Sequence, residues 1–265
     1  MNNGKAAPAR GRTAGATTVG SRARGFGSAA RWPVLLLALF AGAVLADPVI
    51  MRSGQQQVTL LELYTSQGCS SCPPAERWLN SYVDERELWR SVVPVAFHVD
   101  YWDYLGWQDP YATAANSERQ RGYARRGNAR TVYTPGFFAN GREWRGWTLR
   151  LPPRRSDSRP GSLDVRVAAG QVEARFPTGG EQRLLHIAVL GFGIETVVTR
   201  GENRNSTLPQ EFVSLAHATH AAADGHWRVP LPAYEDDDVS RLGLAVWVSR
   251  PGDPAPLQAT GGWLQ

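Results

Sequence analysis

The 265 residues contain two cysteines, Cys69 and Cys72, and no others. An exported chain held together by disulfides carries more of them, at wider spacing. A bridge between positions i and i+3 closes so short a loop that it removes little entropy from the unfolded chain. The pair makes poor sense as a staple and better sense as chemistry. Structural zinc is short of ligands as well: such sites take about four, and His98 is the single histidine between residues 47 and 150. Charge of one sign is also missing from most of the chain. The formal net charge is +5, but six of the 29 cations (Lys5, Arg10, Arg12, Arg22, Arg24 and Arg31) lie in residues 1–46, which hold no acid. The remaining 23 face 24 acids. Nucleic-acid binding by bulk charge is thereby excluded for the body of the protein. With 42% apolar and 20% charged residues, the composition fits neither a disordered chain nor a multi-span membrane protein.

Long apolar runs are lacking too. The stretch 33–45 is apolar for about a dozen residues, short of the ~20 that a membrane-crossing helix needs. It follows the cationic segment and ends in small residues, with Val44 and Ala46 at the −3 and −1 positions of a cut before Asp47. Basic region, short apolar core and small-residue site together describe a secretory signal peptide over residues 1–46. The alternative is an uncleaved membrane anchor. No cysteine stands at the cut, so a lipid anchor has no attachment point. The expectation is a periplasmic or secreted protein without stable membrane insertion once the signal is removed.

Val58-Thr-Leu-Leu-Glu-Leu-Tyr-Thr65 is β-branched, aromatic and almost continuously apolar, the pattern of a buried strand. Gln67-Gly68 breaks it, and Cys69-Ser-Ser-Cys72 leads into Pro73-Pro74, which the first turn of a helix tolerates. Residues 91–99 form a second buried-type strand. Asp109 caps a second helix running to Arg126, where Gly127 stops it. Residues 131–139 make a third strand broken by Pro135, and Asn140-Gly141 turns it back into a fourth. The order is β-α-β-α-β-β over residues 47–150. Residues 151–161 have linker composition. Beyond them, at 162–265, short alternating strands such as Leu163/Val165/Val167 and Val172/Ala174/Phe176 predict an all-β, sandwich-like second domain.

The cysteines follow a strand and a short turn and open a helix. A thiolate placed there meets unpaired N–H groups and the positive end of the helix dipole, both of which lower its pKa. Cys69, the outer member, would attack a disulfide, and Cys72, about one turn along, would resolve the mixed intermediate. Glu62 lies seven residues before Cys69 between Leu61 and Leu63. A carboxylate in an apolar strand is costly without a partner, so it is either a proton relay for Cys72 or an edge residue turned to water. Tyr101, Trp102 and Trp107 make either a platform for a partner polypeptide or a local aromatic core. His217-x-x-His220 with His226 lacks acids other than Asp224 nearby, which argues against a metal cluster. Gly201-Glu-Asn-Arg-Asn205 reads as a polar turn. No cofactor is implied.

Glu62-Leu-Tyr-Thr-Ser-Gln-Gly-Cys-Ser-Ser-Cys-Pro-Pro-Ala75, His98-Val-Asp-Tyr-Trp-Asp-Tyr-Leu-Gly-Trp107, Val132-Tyr-Thr-Pro135 and Gly201-Glu-Asn203 resemble an exported, thioredoxin-like bacterial family filed as domain of unknown function 1223. The resemblance implies an α/β thioredoxin-like N-terminal domain followed by an all-β sandwich-like domain. It also implies a groove in which Thr134 and a cis Pro135 receive extended substrate; the sequence does not show the isomer. The function expected is thiol–disulfide exchange on protein thiols or disulfides. Its rivals are a Cu(I)-handling protein using the same two thiolates and a non-catalytic binding module.

Overall fold

A computed structural model describes residues 47–235 and 237–264. The expected signal peptide at 1–46 lies outside them. The first strands are β1 (Val49–Arg52) and β2 (Thr59–Thr65), and the cysteine turn then leads into α1 (Pro73–Asn80). Next come β3 (Val92–His98), a 3-10 turn at Asp100–Leu105, α2 (Ala114–Arg125), and the hairpin β4 (Gly136–Ala139) and β5 (Arg142–Glu143). Nine strands follow: β6 (Asp164–Ala168), β7 (Gln171–Arg175), β8 (Arg183–Phe192), β9 (Ile194–Val197), β10 (Thr207–Gln210), β11 (Val213–Ala222), β12 (His226–Pro230), β13 (Arg241–Ser249) and β14 (Pro256–Trp263). The Asn140-Gly141 hairpin forms as its chemistry dictates: both residues have positive φ, and a Cβ on Gly141 would come within 2.5 Å of Ala255.

β2 and β3 pair in parallel and are buried along their whole length, as their apolar sequences require. Alternation along β2 divides its side chains between two layers. Glu62 and Tyr64 face Tyr123 of α2, whereas Thr65 faces Glu76 of α1. Part of the outer edge of β3 is taken by β11, which joins in parallel where Ala96 N–H donates to the Phe212 carbonyl at 2.8 Å. That junction makes one eight-stranded sheet in the order β14-β13-β8-β11-β3-β2-β4-β5. β8 and β13 are buried on both faces. Ala188, Leu190, Ala245 and Trp247 enter the core shared with β2 and β3. Leu185, Ile187, Leu244 and Val246 meet a second sheet, β1-β6-β7-β12, across another core.

The architecture differs from the one expected. An α/β thioredoxin-like domain at 47–150 followed by a separate sandwich at 162–265 does not form. The described residues are mainly β, with fourteen strands against two α-helices, and they fall in one compact unit. Residues 151–161 carry no helix or strand, yet they are not a free linker. Ser156 and Ser158 carbonyls accept hydrogen bonds from Gln56 and Gln57. Linker composition reports on local backbone only; it cannot say whether the strands on either side will pair. The second helix also starts later than expected, with Thr113 as its cap. Among the described residues, no helix is long and apolar enough to cross a membrane.

A chain cut after residue 161 would lose β11 from the edge of β3 and the cover of Phe212 and Trp247. It is expected to show no cooperative thermal transition by circular dichroism. A folded 47–161 fragment with a sharp transition would show that the halves are independent after all.

Candidate functional site

Cys69 and Cys72 are disulfide-bonded, with Cα atoms 5.5 Å apart. Cys72 is the N-cap of α1 and already has helical dihedrals. Both cysteines are buried while Ser70 and Ser71 between them are exposed. The donors expected at the helix start are few. Pro73 and Pro74 have no N–H, and the Ala75 and Glu76 amides both donate to the Cys72 carbonyl. What remains for a Cys69 thiolate is the dipole and the Ser71 hydroxyl, 3.3 Å from its sulfur.

The loop between β9 and β10 covers the cysteine turn. Ser70 N–H donates to a Glu202 carboxylate oxygen at 3.0 Å, and the Asn203 amide donates to the carbonyls of Gln67 and Cys69 at 2.9 and 3.0 Å. Gly201-Glu-Asn203 is the polar turn its sequence describes, but one seated on the site. Sequence spacing gave no sign of that, because 132 residues separate Glu202 from Ser70.

Behind the cysteines runs a buried polar chain. Glu76 stands four residues after Cys72, on the same face of α1, and is buried. Its carboxylate accepts from Thr65 Oγ1 at 2.6 Å and from the Gln210 amide at 3.4 Å. Gln67 links Gln210, Thr196 and the Trp107 indole, and its own N–H donates to Asp109. His98 Nδ1–H donates to the same Asp109 oxygen at 2.7 Å. Asp109 is thus a buried partner and not the helix cap the sequence suggested. Burial pushes the Glu76 carboxyl above its ordinary 4.5; the nearby His98 and the Thr65 hydrogen bond oppose that rise without cancelling it. For His98, burial works against the charge, but Asp109 and then Glu76 outweigh it and hold the imidazole above 6.5.

The substrate-groove residues are joined through Trp102. Its indole N–H donates to Thr134 Oγ1 at 2.7 Å, and its Cβ lies against Gly68, just before Cys69. The Thr134–Pro135 bond is cis. Tyr101 donates to Gln120 on α2, and Tyr104 stacks on Trp102 while remaining 76% exposed. Trp107 lies apart from Trp102, against Gly201 and Gln67.

The family described as Protein of unknown function (DUF1223) matches residues 60–249. The chain belongs to that family. An Agrobacterium tumefaciens protein, whose X-ray structure was determined as a structural-genomics target, is similar to this DUF1223 protein. The two share 28% identity over 78% of this chain and 95% of that one, with a TM-score of 0.56. HBP35 of Porphyromonas gingivalis is a weaker match, at 13% identity over 80% of this chain and 76% of that one, TM-score 0.48. No curated protein matches the chain.

Glu62 is not an edge residue turned to water. It is buried on the α2 side of the DUF1223 sheet, where its carboxylate accepts from Arg119 Nε at 2.6 Å and from the hydroxyls of Tyr123 and Tyr64. The buried carboxylate on α1 is Glu76, and its i, i+4 relation to Cys72 was legible in the sequence. Among the described residues, no group of three or more His, Cys, Asp or Glu is disposed to hold a metal ion.

Arg119→Ala would leave Glu62 as an unpaired buried carboxylate and is expected to lower the unfolding free energy by roughly 3–5 kcal/mol, read by denaturant titration. The raised values of Glu76 and His98 have a defined sign. Each group adds stability that is complete below its ordinary value and lost as pH rises through its folded-state value. Unfolding free energy should therefore fall as pH climbs above 4.5, and again above 6.5. Glu76→Gln should remove the lower fall, and an unchanged pH slope in that variant would refute the assignment.

Proposed function

We propose that this DUF1223 protein is a thiol–disulfide oxidoreductase for protein disulfides, working in the periplasm or outside the cell. The observation that carries this is the pair itself: the chain's only two cysteines, bridged at i and i+3 where a strand hands over to α1. The Cys69 thiolate attacks one sulfur of a substrate disulfide. A Cys69–substrate bond forms, and the other substrate sulfur leaves as a thiolate. Cys72 then gives its proton to Glu76 and attacks Cys69, re-forming the Cys69–Cys72 bond and expelling the second substrate thiolate. The pair is oxidised by two electrons and the substrate is reduced; run in reverse, the same steps insert a disulfide. Thr134, Pro135 and the Trp102–Tyr104 stack offer an extended polypeptide a surface beside the sulfurs. Cys69 is 2% exposed, so the Gly201–Asn203 loop has to swing aside for the first attack.

The test is the reduction potential of the pair, measured by equilibration with glutathione buffers, acid quench and mass counting of alkylated thiols. A value between roughly −120 and −270 mV is expected, as for exchange catalysts. A value well below about −300 mV would mark an inert bridge and leave the protein a binding module.

A further inference from the structure

On the α2 face of the sheet, a cleft of about 640 Å³ opens between α2, the start of β8, the middle of β11, the end of β13 and the turn before β14. Arg126 and Arg250 stand on its walls, exposed, and among the described residues neither forms an ion pair. Two acids, Glu118 and Asp253, line the cleft against four arginines. Glu118 is bound by Arg125 at 2.6 Å, and Asp253 accepts from the Ala255 N–H at 3.0 Å. The floor is polar and largely sealed. His186 Nε2 lies 2.8 Å from Ser249 Oγ, and His186 Nδ1 lies 3.0 Å from Thr219 Oγ1 and 3.3 Å from His217 Nε2. Burial, with Arg119 adding its charge, pushes His186 down and His217 down to about 3, so both rings are neutral hydrogen-bonding groups at ordinary pH. The positive field in the cleft therefore comes from its arginines.

Gly122 supplies a separate observation. It lies in the middle of α2, faces the cleft, and a Cβ there would touch only the Arg125 side chain, at 3.8 Å. Internal packing does not require a glycine, and in a helix interior glycine is less favourable than alanine. That cost is offset when something outside the chain lies directly on the helix backbone.

We infer that this cleft binds a small oxyanion-bearing molecule, its phosphate or carboxylate held between Arg126 and Arg250 and seated over Gly122 and His217. Arginine forks suit such groups because they donate two parallel hydrogen bonds. The site lies on different residues from the cysteine pair and does not depend on its chemistry.

The experiment is calorimetric titration of the full chain with inorganic phosphate and, separately, with acetate, each against chloride at matched ionic strength. One of the two oxyanions is expected to bind, and which one does separates phosphate from carboxylate ligands. Arg126→Ala combined with Arg250→Ala should weaken that binding at least tenfold. Gly122→Ala should raise the melting temperature of the free protein while weakening the anion, a pairing that a purely structural glycine cannot produce. Equal heats from chloride, or binding untouched by the arginine and glycine variants, would overturn the proposal.

Discussion

A strand buried on both faces still has two edges, and every N–H and C=O on them needs a partner once water is gone. β3 is such a strand. β2 satisfies one edge, and β11, reached more than a hundred residues later, takes part of the other. From that pairing follow the single eight-stranded sheet, the core in which Phe97 meets Trp247, and the position of everything attached to β8–β11. β9 and β10 pair only with each other, and their loop reaches the cysteine turn because β8 and β11, on either side of that hairpin, are anchored in the sheet that contains β2.

Local chemistry was readable where it is local. The apolar runs of β2 and β3, the prolines opening α1 and the Asn140-Gly141 turn specify their conformations through nearest-neighbour physics, and each forms as its residues dictate. The alternating pairs at Val165/Val167 and Val172/Ala174 point into a core, as period-two patterning requires. Long-range pairing was not readable. β1 is four residues long and carries no strong pattern, yet it joins β6 across more than a hundred positions. A Pro/Arg-rich stretch at 151–161 has the composition of a boundary, but composition says nothing about which edges meet.

The site divides in the same way. The two cysteines, Thr134, Pro135 and Trp102 were visible as motifs, and the fold brings them into one neighbourhood through Trp102. Glu62 drew attention because a carboxylate in an apolar strand needs an explanation. Its explanation proved to be Arg119 on α2, a partner that strand phase alone does not reveal. Asp109, which has the sequence signature of a helix cap, is buried with His98. In both cases the partner came from another element, which local sequence does not name.

The loop over the cysteines also ties two equilibria together. Asn203 holds the carbonyls of Gln67 and Cys69, and Glu202 holds the Ser70 amide. If that grip is tighter in one oxidation state of the pair than in the other, the loop shifts the redox balance by the difference, and by reciprocity the oxidation state sets how firmly the loop is held. A thiol pair at one end of the sheet would then report on, and be tuned by, a hairpin that contains no sulfur.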